Sequence, residues 1–170
     1  MTTTAAVLIQ AMGLAPHPEG GHYRETYRST QRVMRPDGAS RHAGTAIYFL
    51  LATGEYSAWH RIASDEIWHF HAGSPLRIHV LHKGKLATLH LGHPVELPGA
   101  QFQHVVPAGA WFAAEPMPAR NEREGYSLVG CTVAPGFEFS EFELATPEAL
   151  ALAGAPDTET VRRLLPQSVR

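Results

Sequence analysis

The stretch Gly54–Gly73, GEYSAWHRIASDEIWHFHAG, decides the fold class of this chain and contains its best candidates for chemistry. It is typical of two short strands joined by a turn at Ala63–Asp65. Because alternate residues of a strand face the same side, His60 and Ile62 share one face of the first strand. Glu66 begins the second strand as the chain doubles back. If these two faces both turn inward, an imidazole and a carboxylate face each other inside the fold.

The rest of the chain predicts an all-β fold with short helices at its two ends. Glycine, proline or aspartate separates nearly all of the extended runs, as in antiparallel sandwiches and barrels. Helices are predicted from Thr4 to Met12, from Pro147 onwards and over Asp157–Leu165. No internal repeat divides the sequence, so we expect one domain over residues 1–170. The predicted strands are His22–Ser29, Thr45–Leu51, Tyr56–Ile62, Glu66–Phe70, Leu76–Leu81, Leu86–Leu91, Phe102–Val106, Trp111–Ala114, Tyr126–Val133 and Phe137–Leu144.

Composition argues against several classes of function. The formal net charge is −2 and the 14 basic residues are scattered, so we expect no nucleic-acid partner. The single cysteine, Cys131, excludes an internal disulfide. The apolar stretch Ala5–Leu14 is too short to span a membrane and no basic residue precedes it, so we expect a cytoplasmic protein with no membrane partner. Eleven histidines are unusually many and point to metal or proton chemistry.

The spacing of residues in Gly54–Gly73 is that of the first cupin motif, with Ile62 in place of the second histidine. A second motif follows as Pro107–Gly109 between strands, with Phe112 where the last histidine would stand. Longer phrases resemble one branch of the cupin superfamily, the DUF985 (Cupin_5) family, over roughly residues 8–145. Those phrases are Leu14–Gly21, Tyr23–Glu25, Ser57–Arg61, Asp65–Gly73, Val105–Gly109 and Gly130–Phe137.

This resemblance implies a cupin jelly-roll β-sandwich or barrel, commonly a homodimer, with a cavity at one end. It implies no particular reaction, because the family has no agreed activity. We predict that His60 and Glu66 are the catalytic pair and that no metal or other cofactor is bound, since Ile62 and Phe112 cannot ligate one. The predicted ligand-binding wall consists of Tyr48, Ile62, Trp68, Phe70 and Phe112.

Three functions remain open from the sequence. A metal-independent isomerase or epimerase would use His60 and Glu66 as an acid–base pair on a sugar or nucleotide-sugar-like metabolite. A binding module would hold the same small molecule without chemistry. A metal-dependent cupin would need a third ligand from His104, Gln103 or Tyr126. In each case the expected partner is a small-molecule ligand.

The proline-rich arm Pro16–Glu25 crosses the mouth of the barrel, pairs with a second subunit, or is an edge strand protected by its charges. If it crosses the mouth, Glu19, Tyr23, Arg24 and Glu25 are candidates for the rim of the cavity. Strict alternation places Tyr23, Glu25 and Tyr27 on one face and Arg24 and Arg28 on the other, so only one set is expected at the site. The same alternation turns His69 and His71 away from His60. Cys131 is expected to be a small buried thiol.

Overall fold

Two antiparallel sheets packed face to face form the body of the protein in a computed structural model that describes residues 4–118 and 125–167. The helices are α1 (Ala5–Met12), α2 (Pro147–Leu152) and α3 (Glu159–Arg163). The strands are β1 (Ala15–Pro16), β2 (His22–Arg28), β3 (Arg32–Met34), β4 (Ser40–His42), β5 (Thr45–Ala52), β6 (Ser57–Arg61), β7 (Asp65–Gly73), β8 (Leu76–His82), β9 (Lys85–Leu91), β10 (Gln103–Val106), β11 (Trp111–Pro116), β12 (Tyr126–Ala134) and β13 (Glu143–Leu144).

The order of the strands puts the two halves of the Gly54–Gly73 stretch in different sheets. One sheet runs β1-β2-β5-β12-β7-β10 and the other β13-β6-β11-β8-β9, while β3 and β4 form a separate hairpin. Strands β6 and β7 are therefore not hydrogen-bonded to each other, although they are consecutive. The turn between them crosses from one sheet to the other, so His60 on β6 faces Glu66 on β7 across the sandwich.

Three buried clusters stabilise this arrangement. The largest fills the space between the sheets and includes Phe49, Trp68 and Phe112. A second packs Trp59 and Trp111, among others, under the C-terminal helices. A third lies beneath α1 on the outer side of the six-stranded sheet and consists of Leu14, Leu50, Tyr126 and Leu128. Inward-facing residues of the described part of the chain are thus mostly core, and a cavity lies at one end of the sandwich.

The predicted helix ends are confirmed by their caps. Thr4 accepts a hydrogen bond from the Val7 N–H, and Gly13 ends α1 in the left-handed conformation at φ 60°. Thr146 caps α2 in the same way, directly before Pro147. No described helix is long and apolar enough to cross a membrane.

One predicted strand, Phe137–Leu144, is wrong. The segment forms a 3₁₀ turn at Phe139–Glu141 and only the two-residue strand β13. Its aromatic residues do not alternate between two faces. Instead Phe137 and Phe139 lie edge to face, with ring centroids 4.9 Å apart, and both line the cavity described below.

Candidate functional site

A partly enclosed cavity lies between the two sheets at one end of the sandwich, with an internal volume of about 110 Å³. That is room for several waters or one small metabolite. Its polar lining consists of His17, Glu19, Glu25, Arg28, His60 and Glu66. Its apolar wall includes Tyr23, Ile47, Phe49, Ile62, Phe137 and Phe139.

His60 is the deepest imidazole of this cavity. It is 2% exposed, and its ring lies against Phe112 with centroids 4.0 Å apart. Its Nδ1 is 2.8 Å from the carbonyl oxygen of Ala58, so Nδ1–H donates there and the neutral ring leaves a lone pair on Nε2. Burial lowers the pKa of His60 to about 4, against a smaller opposing effect of the Ala58 hydrogen bond. His60 is therefore a neutral hydrogen-bond acceptor at pH 7.

The carboxylate beside His60 is Glu19, from the loop between β1 and β2. Glu19 Oε2 lies 3.3 Å from Nε2 of His60 and 3.2 Å from Nδ1 of His17. Its other oxygen, Oε1, accepts a hydrogen bond of 2.7 Å from the hydroxyl of Ser57. One buried carboxyl group thus joins two imidazoles and a hydroxyl.

The hydrogen bonds of this cluster require a proton on it. Nε2 of neutral His60 is an acceptor, and Nδ1 of His17 already accepts from the backbone N–H of Glu19 at 3.3 Å. A bare carboxylate oxygen would face two lone pairs, so the contacts are attractive only with a proton between them. Burial raises the pKa of Glu19 and lowers the pKa of His17, which favours placing this proton on Glu19.

Two glycines allow the arm to bring Glu19 into the cavity. Gly20 has φ 109°, and a Cβ added there would lie 2.2 Å from the carbonyl oxygen of Tyr56. Gly21 has φ 69°, and its added Cβ would lie 2.7 Å from the carbonyl oxygen of Leu50. Only glycine tolerates both the backbone conformation and this close approach. The carbonyl of Glu19 then accepts from the Ala58 N–H at 2.8 Å, which fixes the loop to β6.

Glu66 enters the cavity from the opposite sheet. It is 7% exposed, and burial together with the nearby Glu19 raises its pKa to about 8. The thiol of Cys131 hydrogen-bonds to it and lowers this pKa by a smaller amount. The Cys131 thiol itself has a pKa raised by burial and by Glu66. At pH 7 Glu66 is therefore mostly a neutral acid that can donate a hydrogen bond, beside an unreactive thiol.

The structure brings three of the predicted site residues to the cavity: His60, Glu66 and Ile62. Among the described ion pairs, however, His60 contacts Glu19 and not Glu66. His60 and Glu66 therefore line the same cavity from different sheets, because β6 and β7 belong to different sheets.

The other four predicted wall residues do not line the cavity. Trp68 and Phe112 are almost fully buried in the core, and Phe70 packs against the same cluster. Tyr48 lies on the outer face of the sheet, where its ring meets that of His71 at 5.7 Å. The prediction for Trp68, Phe70 and Phe112 is corrected because an inward-facing position in a packed sandwich is usually core, and that for Tyr48 because its side chain lies on the outer face. Aromatic residues from the arm and from the turn after β12 form the wall instead.

Alternation also fails on β2, for a specific reason. The pairing of β2 with β5 shifts register between Glu25 and Tyr27, which is a β-bulge. The extra residue returns Arg28 to the side of Tyr23 and Glu25, so all three line the cavity. The expectation that only one of the two sets reaches the site is therefore wrong.

The described residues contain no group of three or more His, Cys, Asp or Glu side chains that could hold a metal ion. The third ligands considered from the sequence lie elsewhere. Nε2 of His104 is 2.9 Å from the carbonyl of His90, Gln103 is exposed, and Tyr126 belongs to the cluster under α1. His69 contacts the Thr132 hydroxyl on the outer face, and His71 is exposed there.

His17 and Arg28 are the functional candidates that the sequence did not single out. The spacing His17-Pro18-Glu19 beside two glycines was the available signal for His17, because such a loop can turn two neighbouring polar side chains into one pocket. Nothing in the local sequence indicated the bulge that moves Arg28.

A family model described as Cupin superfamily (DUF985), Cupin_5, matches residues 6–145. The chain belongs to the Cupin_5 family. Among solved structures, this cupin superposes on a hypothetical protein from Leishmania major with a TM-score of 0.87 and 36% identity, covering 97% of this chain and 100% of the other. Protein SO0799 from Shewanella oneidensis gives a TM-score of 0.82 and 38% identity, covering 98% and 99%.

This chain is also similar to a protein from yeast. The uncharacterized protein YML079W of Saccharomyces cerevisiae is 30% identical over 155 residues, which cover 79% of this chain and 71% of the yeast protein. None of these names states an activity. The two packed antiparallel sheets are the cupin jelly roll, and the candidate site lies between them at one end.

Proposed function

We propose that this cupin binds a small metabolite and acts on it as a metal-independent isomerase or epimerase, with a sugar-like molecule as substrate. The observation that carries this proposal is that His60 and Glu66 line one cavity from opposite sheets with their pKa values moved in opposite directions. Groups whose environments separate their pKa values in this way are suited to paired acid–base roles.

The roles follow from the protonation states at pH 7. Glu66, as a neutral acid, donates a hydrogen bond to a substrate carbonyl or hydroxyl oxygen. When the Glu19 proton points to Nδ1 of His17, the lone pair on Nε2 of His60 is free to accept a proton from the carbon next to that carbonyl, and the resulting Nε2–H donates to Oε2 of Glu19. The proton then returns to the same carbon, on the same or the opposite face. The aromatic wall excludes water from the reacting carbon.

Deuterium exchange tests this proposal without knowledge of the natural substrate. The protein is incubated in D₂O with a panel of aldoses, ketoses and lactones, and NMR follows deuterium incorporation next to the carbonyl. We expect incorporation that falls by about 100-fold or more in His60→Ala. His71→Ala removes an exposed imidazole on the outer face and should have the wild-type rate. Activity should also survive treatment with a chelator. An unchanged rate in a folded His60→Ala protein would refute the proposal.

A second candidate is a binding module with no chemistry, and one observation favours it. Both nitrogens of His60 already have protein partners, Ala58 and Glu19, as expected of a residue that shapes a pocket. Saturable binding of a compound, with no deuterium incorporation into it under any condition, would support this alternative.

A further inference from the structure

The charged groups of the cavity restrict what can bind there. Among the described lining residues, Arg28 is the one permanently cationic side chain. Its guanidinium is occupied by the protein. Nε–H and one Nη2–H donate to the two oxygens of Glu25 at 2.9 and 2.8 Å, and Nη1–H donates to Glu138 at 3.0 Å. A further Nη2–H donates to the carbonyl of Phe137 at 3.1 Å.

Arg28 is therefore a structural cross-link of the cavity mouth and a poor receptor for an anion. Four of its five N–H groups donate to described residues, and two carboxylates offset its single charge. Phosphate and carboxylate groups are usually bound by two parallel N–H donors of one arginine, and those of Arg28 already hold Glu25 in this manner.

The interior of the cavity is even less suited to an anion than its mouth. The titratable groups there are the carboxyls of Glu19 and Glu66, the imidazoles of His17 and His60 and the thiol of Cys131, all of them mostly buried. A phosphate or carboxylate entering this space would lose its hydration with no cation to compensate. It would also repel whatever ionised fraction of the two carboxyls is present.

The same groups suit hydroxyl and carbonyl groups of an uncharged molecule. Glu66 can donate and accept, and His60 can accept; a hydroxyl group of such a ligand can do both, while its carbonyl oxygen accepts. The rings of Tyr23, Phe49 and Phe139 present apolar faces to the C–H groups of a compact ligand. The volume of about 110 Å³ limits the enclosed part to the size of one sugar ring.

We propose that the cavity selects an uncharged polyhydroxy or hydroxy-carbonyl compound of monosaccharide size and rejects its phosphorylated and carboxylated counterparts. This inference rests on the proposed function, since it names the substrate class of the same site. It excludes nucleotide sugars as substrates and retains sugars without phosphate.

Saturation-transfer NMR on matched compounds tests the charge rule directly. Glucose, glucose 6-phosphate, glucuronate and glucosamine, with the corresponding set of pentoses, are each presented at about 10 mM. Binding within the cavity is defined as the signal that is lost in Ile47→Trp, which fills the cavity from β5. Because that variant could fail to fold, competition between pairs of compounds on the wild-type protein gives the same ranking independently.

We expect cavity binding by at least one uncharged sugar, and at least about tenfold weaker binding by its phosphate and its acid. Arg32→Gln on the β3–β4 hairpin, outside the cavity lining, is the control and should change the affinity of the uncharged sugar by less than about threefold. Tighter binding of the phosphate, the acid or the amine than of the uncharged parent would overturn the inference. Cavity binding by no uncharged compound of the panel would do so as well.

The outcomes separate this inference from the proposed function. If an anion binds and exchanges deuterium in a His60-dependent manner, the charge rule fails and the acid–base function stands. If an uncharged sugar binds and no exchange follows, the charge rule stands and the isomerase function fails.

Discussion

Glu19 Oε2 lies 3.3 Å from Nε2 of His60, and this contact joins the N-terminal arm to the centre of the sandwich. The same carboxyl accepts from Ser57 and contacts His17, so its removal leaves the Ser57 hydroxyl and Nε2 of His60 without their described partner. Glu19 is consequently the residue whose loss should disturb the candidate site most.

Substitution of Glu19 separates hydrogen bonding from charge. Glu19→Ala should lower the free energy of unfolding by about 2–4 kcal/mol, because buried donors and acceptors lose their partners. Glu19→Gln keeps one donor and one acceptor near the same positions and should cost about 1 kcal/mol or less. Urea unfolding at pH 7 measures both. Equal losses in the two variants would show that the hydrogen bonds of Glu19 contribute nothing to stability.

The raised pKa of Glu66 predicts a loss of stability as the pH rises from about 4.5 to about 8. Below pH 4.5 this carboxyl is neutral in both states; above it, the unfolded chain ionises first, so the folded state loses relative stability until pH reaches about 8. At about 1.4 kcal/mol per pH unit the loss is on the order of 5 kcal/mol. The Gln side chain of Glu66→Gln cannot ionise. The free energy of unfolding of this variant should therefore rise relative to that of the wild type as the pH increases from about 4.5 to about 8.

Urea titrations of the wild type and Glu66→Gln at several pH values check this difference. Glu148→Gln, at the exposed start of α2, is the control and should follow the wild-type profile. A constant difference between Glu66→Gln and the wild type from pH 5 to pH 8 would contradict the assignment of Glu66 as a neutral acid at pH 7.

His60 predicts the opposite dependence in acid. Its pKa is about 4 in the folded protein against an ordinary value of 6.5, so on acidification the unfolded chain takes up the proton first. Stability attributable to His60 is complete above pH 6.5 and is lost as pH falls to about 4. In His60→Gln the loss of unfolding free energy between pH 6.5 and pH 4 should be smaller than in the wild type by on the order of 3 kcal/mol. Measurement of Tm against pH for the variant and the wild type, between pH 4 and 7, decides the matter.

Gly20 should be intolerant of a side chain. Gly20→Ala places a Cβ 2.2 Å from the Tyr56 carbonyl oxygen at φ 109°, so the loop that carries Glu19 must move. We expect a loss of more than about 2 kcal/mol in the free energy of unfolding. Gly38→Ala is the matched control, with φ 83° but no atom within 4 Å of the added Cβ, and should lose only about 1 kcal/mol. Thermal unfolding of the two variants compares them, and equal losses would exclude a steric role for the Tyr56 contact.

Cys131 should be protected from alkylation in the folded state. The thiol is 2% exposed, and its pKa is raised by burial and by Glu66, so very little thiolate exists at pH 8. Mass spectrometry should find no modification after iodoacetamide treatment of the native protein and complete modification in urea. Rapid alkylation of the native protein would show that the region of Glu66 opens to solvent.

The sequence predicted the strands that carry His60 and Glu66, and also that Ile62 joins them, because period-two alternation is a local property that survives folding. It could not predict Glu19 as the partner of His60, since that contact depends on the path of the arm across the sandwich. Trp68, Phe70 and Phe112 were misplaced because alternation distinguishes inside from outside and does not distinguish core from cavity, whereas Tyr48 lies on the outer face. Arg28 was misplaced because a β-bulge between Glu25 and Tyr27 reverses the alternation of faces, and no residue near Thr26 predicts that bulge from the sequence.

The suspension of His60 and Glu66 from opposing sheets means that no strand register sets the distance between them. That distance depends on the thickness of the sandwich. Packed sheets lie about 10 Å apart, and the size of the side chains between them sets the spacing. The core residues Phe49, Trp68 and Phe112 therefore help to set the distance between His60 and Glu66. A lineage of this family could retune the size of the molecule it accepts by exchanging core residues that never touch it.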